Sequence, residues 1–384
     1  MTSIDDRPRA VAPARDADGP ATDLTTSPGT DEPDLRWVGR VWLVVVAFAA
    51  VTAWRSWEVG IPVRDPGGEI LRTRVAITLA LLVALAAVDA VRRTPRGLRT
   101  PAAVWATLRE RWTPTRTGLV LAGLAAYHAV YFCYHNLKSW DVLNTERDAL
   151  LTRVDETLFL GHSPAVLLHD VLGQHLAAYV LIAIYESFPT LVSVAFVAAL
   201  ALTDRVRDGW FFIASMVWVW ILGVGTYYLV PSLGPFHQSP EDFAGLPHTI
   251  VTDTQARYLA QRDQLLAHPG WHDSFAQVSA FASLHVGVTT VILLMVRHYG
   301  MRRATRAMTL FLAGTLVATV YLGWHFAVDD VAGLAIAALA VWLGRRTVYP
   351  CRAGADGAGC AHALRRRGPR LGGEEAHRAG GPRR

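Results

Sequence analysis

Gly323-Trp324-His325-Phe326-Ala327-Val328-Asp329-Asp330 is a short polar-bearing phrase between two apolar runs, residues 304 to 323 and 329 to 345. An apolar run of about twenty residues is long enough to cross a roughly 30 Å hydrocarbon core as a helix. Six more such runs lie at 37 to 54, 75 to 91, 117 to 135, 176 to 202, 210 to 230 and 278 to 298. The run at 176 to 202 contains Glu186 and Pro189, which predicts a tilt or kink there. Across 384 residues, 52% are hydrophobic and 18% charged, with mean hydropathy +0.26, values outside those of an ordinary soluble domain. The expected fold is an all-α polytopic membrane bundle of about eight transmembrane helices.

Arginine accumulates beside alternate ends of these runs. The loop from Arg92 to Arg116 carries seven Arg, the turn at Arg205 and Arg207 two, the turn from Arg297 to Arg306 four, and the segment from Arg345 onward ten. Basic flanks stay cytoplasmic, so all four fall on one side if both termini are cytoplasmic. The loops at 55 to 74, 136 to 175 and 231 to 277 then face outward, and the protein is expected in the plasma membrane. The first 35 residues hold eight acids and three Arg without the apolar centre of a signal peptide, and read as a disordered cytoplasmic tail. Residues 36–116 read as two additional helices with a basic loop, 117–346 as a six-helix core, and 347–384 as a basic disordered tail. The net charge of +5 fits topology and anionic headgroups rather than nucleic acid. Cys133, Cys351 and Cys360 have neither zinc spacing nor the number of a disulfide framework.

His325 and Asp329 are four apart, so on a helix they share a face. The carboxylate can then accept from one ring nitrogen and leave the other to attack or take a proton; a satisfied polar pair would have the same spacing. Asp330 could substitute, but it points about 100° away around a helix. A second histidine, His285 in Phe281-Ala282-Ser283-Leu284-His285, stands beside Ser283 at the start of another run. Helix starts expose unpaired amides, which suit phosphate.

These phrases resemble the type-2 phosphatidic acid phosphatase superfamily of phosphoesterases, whose motifs have the forms K-x6-R-P, P-S-G-H and S-R-x5-H-x3-D. Ala282-Ser283-Leu284-His285 resembles the second, and the stretch ending His325-x3-Asp329 the third. The resemblance implies that His325 is the phosphorylated nucleophile, Asp329 its orienting partner, His285 the general acid and Ser283 a phosphate hydrogen-bonder, with no metal and no other cofactor. The run Thr226-Tyr227-Tyr228-Leu229-Val230-Pro231-Ser232-Leu233-Gly234-Pro235-Phe236 is similar to the inositol phosphorylceramide synthase-like branch, which includes inositolphosphotransferases. It implies a lipid phosphate or phospholipid substrate, with water or an alcohol such as inositol as acceptor.

The chain departs from the pattern where cations belong. Thr319 replaces the third motif's Arg, and Tyr227 and Gly234 stand where the first motif has Lys and Arg. Phosphoryl transfer needs positive charge at the equatorial oxygens, so other residues should supply it. Lys138 is the first candidate phosphate partner, placed just beyond the third run, and Tyr227 could line the site. Arg147, Arg153, Arg257 and Arg262 are further basic residues of the outward loops. Glu186 and His128, inside apolar runs, suit helix-packing hydrogen bonds. His162, His169, Asp170 and His175 complete no metal spacing. Two alternatives stay open: a non-catalytic lipid-binding or transport protein, suggested by the missing cations, and a metal-dependent hydrolase using His285, His325 and Asp329.

Overall fold

The computed structural model describes residues 35–350; residues 1–34 and 351–384, with most of the two expected tails, lie outside the described residues. Fourteen α-helices follow in order: α1 (Arg36–Val59), α2 (Arg72–Arg93), α3 (Pro101–Arg111), α4 (Pro114–Trp140), α5 (Asp148–Leu158), α6 (Pro164–Leu172), α7 (Leu176–Glu186), α8 (Phe188–Leu202), α9 (Val206–Leu229), α10 (Pro235–Gln238), α11 (Ile250–Ala267), α12 (Leu284–His298), α13 (Arg302–Tyr321) and α14 (Ala327–Val348). No strand occurs among the described residues.

Among the described residues seven helical segments are long and apolar enough to cross a membrane, α7 and α8 together forming one of them, and the chain is an integral multi-pass membrane protein. α12 has only 15 residues. The run at 278 to 298 therefore starts its helix six residues later than its apolarity suggests, because Ser283 accepts from the Val286 amide (3.4 Å) and caps the helix there. The run at 176 to 202 breaks at Ser187, with Pro189 in the first turn of α8, where its missing N–H costs nothing. α4 starts where the Thr113 hydroxyl accepts from Arg116 N ahead of Pro114, and it continues to Trp140, so Lys138 lies in its last turn and not beyond it.

α9 is the axis of the bundle. Of its apolar stretch 72% is buried, against 28% for α1 and α2, which turn Leu43, Val46, Trp54 and Val83 outward as lipid-facing helices must. Trp210, Phe212, Ile213, Met216 and Tyr227 of α9 are packed among α4, α12 and α14. The basic turns meet at one end of the bundle. There Arg116 donates to Thr203 O (2.7 Å) and Ala201 O (3.2 Å), and Arg111 to Leu202 O (3.1 Å), two guanidinium groups closing the C-terminus of α8. Arg93 pairs with Asp89 and with Asp204 across the same end. At the other end α5, α6, α10 and α11 lie in the loops beside the starts of α12 and α14.

α12 and α14 cross closely because two glycines meet. A Cβ on Gly333 would lie 2.5 Å from Ser283 O, and one on Gly287 3.4 Å from Gly333 O. The crossing sets the starts of the two helices, and so the two histidine phrases, side by side.

Candidate active site

His325 sits in the turn between α13 and α14, nearly enclosed. Its backbone N–H donates to Thr319 O (3.1 Å), and its Nδ1 lies 3.3 Å from Asp329 Oδ2. Asp329 is fully buried; the same Oδ2 accepts from Phe326 N (3.1 Å), and its backbone oxygen accepts from Ser283 N (3.0 Å). One residue thus orients the His325 ring and ties the two phrases together. Oδ1 of Asp329 has no partner. Asp330 accepts from the Thr319 hydroxyl (2.9 Å) and its charge also acts on His325, so the residue in the place of the motif's Arg is occupied with a neighbouring carboxylate.

His285 lies in the first turn of α12, its ring 6.0 Å from that of His325. Tyr185 stacks on it at 4.2 Å and Phe188 leans on it at 4.4 Å, so the break between α7 and α8 delivers an aromatic wall. Tyr185 also stacks in parallel on Trp324 at 5.8 Å. His285 makes no protein hydrogen bond among the described residues. Ser283 is fully buried as the cap of α12 and also approaches Asp330.

Lys138 extends over Tyr227, its Nζ 5.8 Å from the ring centre, and its charge acts on both His285 and His325. The Tyr227 hydroxyl meets that of Tyr134 at 3.2 Å. The structure therefore brings His325, His285, Asp329, Ser283, Lys138 and Tyr227 to one end of the bundle. It leaves the other basic candidates apart: Arg262 pairs with Glu146, Arg257 lies over Tyr258, and Arg147 and Arg153 are exposed. His169 Nε2 donates to Tyr321 O (2.9 Å), and no three His, Cys, Asp or Glu among the described residues gather as a metal cage. His128 makes packing contacts, with Leu124 O (2.8 Å) and the Thr78 hydroxyl (3.3 Å), whereas Glu186 is exposed and faces Arg257.

Two aspartates absent from the sequence reading hold this end together. Asp155 of α5 accepts from Ala327 N (2.6 Å) and Val328 N (3.0 Å), capping α14 from outside its own chain segment. Asp148, seven residues earlier on the same face, accepts from Leu233 N (2.9 Å) and Gly234 N (2.8 Å). The latter bonds fix the turn in which Gly234 adopts φ +114, with a would-be Cβ only 2.7 Å from Trp324 O. Burial raises both carboxyls above their ordinary value, partly offset by these amides. Their spacing with Leu151 as a buried stripe was visible, but their backbone partners lie 85 to 173 residues away.

Burial lowers the His325 imidazole to about 4, with Asp330 opposing and Lys138 assisting. A nucleophile must be neutral, so turnover limited by this group falls only as pH drops through about 4 and is flat above it. The unfolded chain takes up that proton near 6.5, so the stability contributed by the neutral buried ring is present above that value and is lost as pH falls towards 4. A kcat/KM profile from pH 3.5 to 8 checks the first statement; an inflection near 6.5 assigned to His325 by substitution would contradict it.

A family model described as the PAP2 superfamily matches residues 149–343. No curated protein and no solved structure matches the chain. The match begins at α5 and ends in α14, and leaves α1 to α4 outside it.

Proposed function

The chain belongs to the PAP2 superfamily, and from that premise we propose that it is a membrane phosphoesterase acting on a lipid-linked phosphate through His325. The supporting observation is the arrangement of His325 against buried Asp329 with His285 facing it across 6.0 Å. In the first step the free ring nitrogen of His325 attacks phosphorus, the ester P–O bond breaks, and His285 gives its proton to the departing oxygen. In the second, water or an alcohol attacks phosphorus and returns a proton to His285, and the P–N bond breaks. Asp329 holds the attacking tautomer and stabilises the imidazolium character that develops, in the way a triad carboxylate does. Lys138 supplies charge to the equatorial oxygens, and the Ser283 cap holds the start of α12 towards them.

The expected side of the membrane is the one opposite the arginine clusters, which puts the site outside the cytoplasm. The resemblance to the inositol phosphorylceramide synthase-like branch favours transfer to an alcohol, inositol among the candidates, over simple hydrolysis. A transferase must keep water from the phosphohistidine, and the aromatic wall of Tyr185, Phe188 and Trp324 suits that task. The test is lipid-resolved mass spectrometry of the purified protein in lipid extract, with and without inositol. Free phosphate alone identifies a phosphatase; a new phosphodiester or phosphomonoester of the added alcohol identifies a transferase. Binding of lipids with neither product supports a binding protein instead.

A further inference from the structure

Two cavities meet at one side chain, Arg74 of α2. The first is a polar chamber of about 330 Å³ lined by Glu69, Arg74, His135, Gln261, Asp273 and Gln277. The second is a narrow cleft of about 50 Å³ between α2, α4, α8 and α9, lined by Arg74 with Thr78, Tyr127, Phe188, Val192, Ser193 and Trp220. The chamber is rich in hydrogen-bonding groups and the cleft is mostly apolar, so Arg74 stands at the boundary between them.

The groups at this boundary lack partners. Arg74 lies over the Tyr131 ring at 4.9 Å and makes no ion pair with any carboxylate of the described residues; Glu69 and Asp273 lie in the chamber wall and are exposed. Both ring nitrogens of His135 and Oε1 of Gln261 are buried and unbonded. Buried polar groups are normally satisfied, and a cation without a carboxylate at the outer end of a span is placed to meet an anion at the headgroup level. Each cavity has a wall residue adjacent to a residue of the candidate active site. Phe188 of the cleft packs on His285, and Lys138 is one turn beyond His135 on α4.

We propose that this is the seat of the substrate lipid. Its phosphate lies between Arg74 and Lys138, its polar headgroup enters the chamber, and the first methylenes of its chain fill the cleft. The rest of the chain leaves into the bilayer past Pro189 and Ser193, both on the exposed side of α8. A guanidinium grips phosphate oxygens in pairs, so Arg74 supplies charge that the motif positions lack. It comes from α2, which lies outside the segment matched by the family model. This inference rests on the phosphoesterase reading.

The test compares kcat/KM for phosphatidic acid in mixed micelles with that for p-nitrophenyl phosphate, which has no chain to place. Arg74→Ala should lower kcat/KM about tenfold or more for both compounds, since both carry the phosphate that Arg74 grips, with Arg74→Lys recovering part of it. Ser193→Trp, which fills the cleft and leaves every charged side chain in the protein, should lower the ratio of lipid to aryl phosphate. Arg303→Ala, at the opposite end of the bundle, should leave it unchanged. Native kcat/KM for both compounds in Arg74→Ala, or a ratio unmoved by Ser193→Trp, overturns the seat. Turnover of the aryl phosphate alone by the native protein also overturns it and leaves the phosphoesterase reading intact. Turnover of neither compound, with no phosphohistidine formed, overturns both.

Discussion

His325→Ala in the purified protein is expected to remove lipid-phosphate turnover by about a thousandfold or more, together with all acid-labile label acquired from a phosphorylated lipid. The expectation follows from where the ring is held. Its Nδ1 faces Asp329, leaving the other nitrogen to attack, and no second histidine can take its place, because His285 lies 6.0 Å away and does not contact the carboxylate. Alanine leaves the backbone bond from residue 325 to Thr319 O intact, so the fold should persist while chemistry stops. Alkaline quenching, followed by loss of the label on acid treatment, reads the phosphohistidine, and phosphate release reads turnover. Label and turnover surviving at native levels would show that another group is the nucleophile.

Gly333→Val should have a comparable effect on turnover by a different route. The new Cβ would meet Ser283 O at 2.5 Å, a backbone atom that cannot swing aside, so α12 and α14 must separate. Overpacking of this kind costs about 1–3 kcal/mol, and the separation also lengthens the Ser283 N–H to Asp329 O bond that joins the two histidine phrases. The measurement is the midpoint of thermal denaturation in detergent alongside turnover: both should fall. Gly225→Ala, on a face of α9 with nothing within 4 Å of the added methyl, serves as the comparison and should leave both near native. A Gly333→Val protein with native turnover would mean that the helix crossing does not set the histidine geometry.

The membrane bundle was legible because length and apolarity are local properties, and most runs became helices near their expected bounds. The sixth was not, since Val278 to Ala282 is mostly apolar and yet irregular, held by bonds such as Ala280 N to Ser232 O (2.8 Å) that no periodicity reveals. The pairing of His325 with Asp329 was legible from a spacing of four. Its companions were less so. Asp148 and Asp155 bind backbone amides brought near only by folding, and their sequence surroundings are those of any amphipathic helix. Arg74 sits among basic residues that otherwise mark the end of a span, and only the cavities on either side single it out. Lys138 was found by asking which cation could replace the missing ones, a question about charge balance rather than about pattern.

The surface helix α5 has one more consequence, which concerns opening rather than binding. Its two carboxylates satisfy four amides, Leu233 and Gly234 in the turn before α10 and Ala327 and Val328 in the first turn of α14. Lifting α5 would strand all four at once, each at about 1–3 kcal/mol when left buried without an acceptor. These turns and α5 therefore form a single cooperative unit, unable to fray piecemeal, and the floor beneath His325 is the least yielding part of this end of the bundle. Any breathing needed to admit a substrate or release a product falls to the opposite wall, where α7 and α8 join at the broken turn of Ser187.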